Sequence, residues 1–171
     1  ACALISELPF DLALFGKVIY PLHQNVFFTL LIGLGAIWVI DVILAKNNQG
    51  KAQKALLATF TAVGFMLLAE IMFVDYFSFG VMVIVVMYLL RKVLADKVKL
   101  WVPIVFVAGV VVLSVSYVGE FWALLALPLM FFYRGKKGWN GKWFFYLFYP
   151  VHLVLLALAV LALGVQNWGI L

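Results

Sequence analysis

The sequence predicts an all-α protein, a polytopic transmembrane helical bundle of about six spans plus an N-terminal helix remnant. Three observations carry this. Of the 171 residues, 68% are hydrophobic and 11% charged, whereas a soluble domain has about a quarter charged residues. The apolar residues fall in runs that reach or approach the roughly 20 needed to cross a bilayer core of about 30 Å. Almost all the bases sit in short loops between those runs. A β-barrel would instead show strands of about ten residues with alternating polarity.

The stretch from Ala1 to Leu8 reads as the end of a helix whose start precedes Ala1, entering from the inner side and ending outside at Pro9. The six spans then run from about Val26 to Ala45, Ala55 to Phe73, Phe77 to Leu90, Leu100 to Val118, Phe121 to Tyr133, and Trp143 to Leu163. The third and fifth are short and need packing among neighbours or a locally thin bilayer. Residues 1–171 form a single membrane domain on this reading, lacking further N-terminal helices, with no internal repeat.

Net charge is +5, from 12 Lys and Arg against 7 Asp and Glu. Lys46, Lys51 and Lys54 follow the first span; Arg91, Lys92, Lys97 and Lys99 follow the third; Arg134, Lys136, Lys137 and Lys142 follow the fifth. The loops between carry no base, and Lys17 is the exception. The positive-inside rule makes the basic loops cytoplasmic and places the C-terminus, Gln166 to Leu171, outside. The bases thereby report orientation in a lipid bilayer, with no nucleic acid partner expected. Glu7, Asp11, His23, Gln24, Asn25, Asp75 and Glu120 then gather on the outer side, with Glu70 near it.

An ionisable group within a span costs roughly 2.5–3.5 kcal/mol on insertion scales and needs a reason. His152 lies about 13 Å along the last span from Trp143, near mid-membrane. Pro150 has no N–H and frees the carbonyl of Tyr146 beside it. His152 is a candidate general base or substrate contact, or a histidine bonded between helices for structure alone. Glu70 either orients a histidine or binds a cationic acceptor, or reaches the interface to pair with Lys17. His23, Gln24 and Asn25 form the most polar approach to any span, and Asn25 can cap the helix that follows. Glu7 and Asp11, with Pro9 between them, are expected on a turn and not on one helical face. The single cysteine, Cys2, and the two histidines make no metal-ligand spacing. Walker, Rossmann and nucleophile-elbow motifs are missing from the sequence.

Several strings together resemble one family. They are Ala3-Leu4-Ile5-Ser6-Glu7-Leu8-Pro9-Phe10-Asp11, His23-Gln24-Asn25-Val26-Phe27-Phe28-Thr29-Leu30, Asp75-Tyr76 with Gly80-Val81, Ala126-Leu127-Pro128-Leu129, the turn from Tyr133 to Gly138, and Phe145-Tyr146-Leu147-Phe148-Tyr149-Pro150-Val151-His152-Leu153. In order and along essentially the whole chain, they look like the TraX family of bacterial membrane proteins, named from conjugative pilus systems. The resemblance implies a bacterial inner-membrane acyltransferase, related to multi-pass enzymes that modify sugars and cell-surface polymers. It implies acetyl-CoA or another acyl-CoA as donor, and a pilin N-terminus or cell-surface polymer as acceptor. Members begin with further helices that hold an Asp-His pair and a Phe-Pro-Ile-Phe-type stretch. Residues 1–171 hold neither, so a chain that starts earlier is expected.

On that reading, the catalytic candidates are His152, His23 and Glu70. Glu7, Asp11, Gln24, Asn25 and Asp75 are substrate-binding candidates, and Gln24 and Asn25 could donate to an oxyanion. Arg134, Lys136 and Lys137 would hold the phosphates of the donor. Two other functions fit the same residues: a non-catalytic scaffold for pilus assembly and, less well, a small transporter. Oligomeric state is left open by the sequence.

Overall fold

The computed structural model describes residues 2–132 and 141–163. Seven α-helices are found among them: α1 (Cys2–Phe15), α2 (Val26–Ala45), α3 (Lys51–Ile71), α4 (Phe77–Leu94), α5 (Trp101–Ser116), α6 (Leu127–Phe132) and α7 (Lys142–Leu163). A 3-10 helix, Val118–Ala126, precedes α6. The protein is all-α, as the sequence predicts. Four helices, α2, α3, α4 and the part of α7 from Tyr146 to Leu163, are long and apolar enough to cross a membrane. The α5 helix and the unit Val118–Phe132 are shorter apolar helices.

Helices α2, α3 and α4 form the centre, each packed on the other two. Their shared core is Ile32, Ala36, Ile40, Ala69, Val74, Val81 and Val85. The α5 helix extends the group beside α4, and the 3-10 helix packs on α5. On the other flank α7 lies against α1, and α1 touches α2. Outside this core the apolar side chains point outward: Leu34, Trp38, Phe60, Leu67, Leu129 and Leu155 are all more than half exposed. In water such a surface would cost about 25 cal/mol per Å², and a bilayer removes that cost. The protein is a multi-pass membrane protein.

The α2 bounds match the sequence reading because both signals are local. Asn25 has an extended backbone and accepts the N–H of Phe27, the cap that an Asn before an apolar run predicts. At the other end Lys54 donates to the carbonyl of Leu44 at 2.9 Å and stops an orphan C-terminal group.

Four expectations are corrected. First, α1 does not end at Pro9 but runs through it to Phe15. A proline inside a helix costs about 3 kcal/mol, and here the packing of α1 on α7, with Pro9 buried, outweighs it. Gly16, at φ 63°, supplies the left-handed residue that ends the helix. Second, Glu7 and Asp11 therefore lie one helical turn apart on one face, and not on a turn. Third, the span from Phe77 is not short: α4 continues to Leu94 and carries Arg91 and Lys92 in its last turn. Fourth, the fifth span is not one α-helix. Its nine-residue 3-10 portion rises about 2.0 Å per residue, so it reaches farther than its length in an α-helix would.

Arg134, Lys136, Lys137 and the C-terminus from Gln166 to Leu171 lie outside the described residues.

Candidate functional site

The acidic end of the bundle is built on a loop-to-loop clamp. Gln24 N–H donates to the carbonyl of Phe73 at 2.8 Å, and Asp75 N–H donates to the carbonyl of Gln24 at 2.9 Å. This isolated parallel bridge joins the approach to α2 with the α3–α4 loop. The Thr29 hydroxyl, buried one turn into α2, donates to the carbonyl of Asp75 at 2.6 Å. Phe73, Tyr76 and Phe77 all have φ between 46° and 61°. That is the left-handed region, costly for residues with a Cβ and tolerated where surroundings over-determine the backbone. The loop contains no glycine, so no sequence signal marked it. Glu70 contributes here too. Its carboxylate accepts the N–H of Ser78 at 3.1 Å, in the first turn of α4, where a negative charge also meets the helix dipole. Glu70 thus caps α4; no histidine appears among the partners seen for it. Lys17 sits over the Tyr20 ring at 4.9 Å.

The clamp holds His23 beside Asp75, with Nε2 3.6 Å from Oδ1. Three rings surround the imidazole. Phe10 stacks on it with centroids 5.8 Å apart and planes 8° apart, while Phe15 and Phe77 meet it edge-on at 5.7 and 5.8 Å. Asp11 is 1% exposed, and its Oδ2 accepts the N–H of Tyr20 at 2.7 Å. One oxygen of each α1 carboxylate, Glu7 Oε1 and Asp11 Oδ1, is buried without a hydrogen-bond partner among the described residues, as is the hydroxyl of Ser6. Asp75, expected as a substrate contact, is the carboxylate beside His23, while Glu70, expected to orient a histidine, bonds Ser78.

Asn25 ties α1 to α2. Its amide donates to the carbonyl of Ala3 at 2.8 Å and to Glu7 Oε2, and its own N–H reaches the same Oε2 at 3.2 Å. Its Oδ1 accepts from Phe27. The side chain is fully buried and every polar atom on it is engaged, so it serves the scaffold of the site. Gln24 donates through Nε2 to the carbonyl of Pro21 at 3.2 Å.

His152 lies midway along α7. Its Nδ1 is 3.0 Å from the carbonyl of Phe148. A carbonyl only accepts, so in the neutral ring Nδ1 carries the hydrogen and Nε2 keeps a lone pair. The imidazole stacks on Phe148 at 5.1 Å and meets the Tyr149 ring edge-on at 5.2 Å. Tyr149 in turn meets Phe27 edge-on at 4.8 Å. The part of α7 around Tyr149 is therefore level with the first turn of α2, and His152 follows one turn on.

Four further residues escaped the sequence reading. Tyr149 is one. Tyr76 donates to Glu120 at 2.7 Å and joins the α3–α4 loop to the 3-10 helix. Burial first, and then the Glu120 carboxylate, push its phenol well above the ordinary tyrosine range. Thr29 pins Asp75, as described. At the basic end Asp41 pairs with Lys92 and accepts from the Tyr88 hydroxyl. An Asp within an apolar run, 51 positions before its lysine, was a readable signal for a polar contact between α2 and α4. No group of three His, Cys, Asp or Glu side chains gathers as a metal site among the described residues.

No curated protein and no solved structure matches the chain. The family described as TraX protein matches residues 1–161. That match spans both histidines, the clamp and α1 with its two carboxylates, and the chain belongs to the TraX family.

Proposed function

We propose that this protein is a membrane acyltransferase that moves an acyl group, in the first instance acetyl, from an acyl-CoA to a pilin N-terminus or another cell-surface acceptor. The observation that carries the reading is His152, an imidazole inside an apolar helix with Nδ1–H tied back to Phe148 and Nε2 left basic. A histidine so held is suited to remove a proton from an acceptor amine or hydroxyl. The acceptor then attacks the thioester carbonyl, the C–S bond breaks, and the thiolate leaves with the proton that the imidazolium returns. His23, with Asp75 beside it, would face the acceptor. Glu7 and Asp11 would favour an acceptor that carries positive charge. Arg134, Lys136 and Lys137 would draw the donor's phosphates to the basic end, which we assign to the cytoplasm in the bacterial inner membrane. Membership of the TraX family, known for pilin N-acetylation, supports the same chemistry.

The test is transfer of radiolabelled acetyl from acetyl-CoA to protein or co-purified acceptor, in nanodiscs, for wild type, His23→Ala and His152→Ala. Loss in either folded variant supports the enzyme and identifies its base. Full transfer in both rejects these bases. No transfer from any acyl-CoA, with native acceptor present, favours a scaffold that binds pilin without reacting.

A further inference from the structure

Phe148 and Tyr149 both touch His152, but they do different things. Phe148 is on the same helix, one turn back, and its ring is 55% exposed. It restrains the imidazole only relative to α7. Tyr149 reaches off the helix. Its ring meets Phe27 on one side and His152 on the other. Phe27 lies in the first turn of α2, where Asn25 caps its N–H, so the Tyr149 ring ties the imidazole to a fixed point of another helix.

We propose that Tyr149 is a positioning residue for His152. With its ring against Phe27 in the first turn of α2 and against the imidazole of His152, it fixes the direction of Nε2 relative to the His23 and Asp75 clamp. The kinetic part of this proposal rests on acyl transfer with His152 as base; the positional part does not.

The experiment uses imidazole nitrogen NMR on histidine-labelled full-length protein in nanodiscs, above the ordinary histidine titration range. The chain has two histidines, so a His23→Gln variant assigns both. The wild type is expected to show His152 as the Nδ1–H tautomer. Tyr149→Leu removes the ring, frees the imidazole to turn from the Phe148 carbonyl and should give a mixture of tautomers, and Tyr149→Phe keeps the ring and should keep the wild-type tautomer. In the transfer assay, misplacement by about 1 Å costs on the order of a hundredfold, so Leu should lower kcat by about that factor and Phe leave it within about twofold, with KM for acetyl-CoA within about twofold in both. If Tyr149→Leu keeps the wild-type tautomer and kcat, the proposal is overturned. Should Tyr149→Leu not fold, Phe27→Leu, which removes the ring that Tyr149 rests on, is expected to give the same mixture and loss, and an unchanged tautomer and kcat there overturn the proposal. If the wild type transfers nothing, the acyltransferase reading fails, and the tautomer still decides the positioning.

Discussion

Replacing Asn25 by Ala removes three side-chain interactions at once, and the structure allows their sum to be set out. The cap on the Phe27 N–H is worth about 1 kcal/mol. The bond to the Ala3 carbonyl contributes roughly another 1 kcal/mol, and the charge-assisted bond to Glu7 about 2 kcal/mol. Glu7 keeps the backbone N–H of residue 25, so its carboxylate is weakened and not stranded. The expected loss is about 4 kcal/mol, equivalent to about 8–16 °C of melting temperature for a protein of this size. Thermal unfolding of nanodisc-embedded protein, followed by circular dichroism, measures it. Asn25→Asp is the control, since it keeps the cap but sets a carboxylate against Glu7. Its deficit should shrink as the pH falls and the pair takes up a proton. A drop below about 2 °C for Asn25→Ala would refute the view that this side chain joins α1 to α2.

Other outcomes follow from the same geometry. Glu70→Gln still presents an oxygen to the Ser78 N–H, so it should cost under about 1 kcal/mol and leave acetyl transfer within about twofold. A larger loss of transfer would return Glu70 to the reacting groups. A Cβ at Gly80 would meet the Thr29 methyl and come within 3.2 Å of the Asp75 carbonyl. Gly80→Ala should therefore destabilise by about 1–3 kcal/mol and lower transfer through the displaced clamp, both read in the assays above. The Tyr76 phenol, raised by burial and Glu120, stays protonated where free tyrosine ionises. The stability it contributes is whole below the ordinary tyrosine value and declines as the pH rises beyond it. Comparing phenolate absorbance of wild type and Tyr76→Phe should show no titration from this residue in the ordinary range; a difference there contradicts the assignment.

How much could be read from the sequence depended on whether a feature was local. The α2 bounds were legible because Asn25 and the lysines after Ala45 punctuate them. The sequence places the start of α3 at Ala55, four residues late, because Lys51 and Lys54 look like loop residues although they occupy the first turn of the helix. Helix ends that reach the headgroup region keep their geometry while their composition turns polar. Pro9 misled for the opposite reason: a strong local breaker yielded to packing on a distant helix. Hydrophobicity could not separate a 3-10 from an α turn around Val118–Ala126. At the site, polar residue types were legible and their pairing was not. Asp75 meets His23 because two loops bridge, and Glu70 turns to α4 because a helix begins beside it.

The offset of α7 has a consequence for biogenesis. Helix α7 packs chiefly on α1, and the two are separated in sequence by all the other described helices. Helices α2 to α5 can pair with sequence neighbours as they leave the ribosome. The joining of α7 to α1 closes a loop that contains nearly everything else, and loop closure of that kind is slow. The helix that carries His152 thus joins the helix that carries Glu7 and Asp11 only late in assembly. A nascent chain halted before Lys142 has its central core but lacks α7, and with it the partner that covers α1.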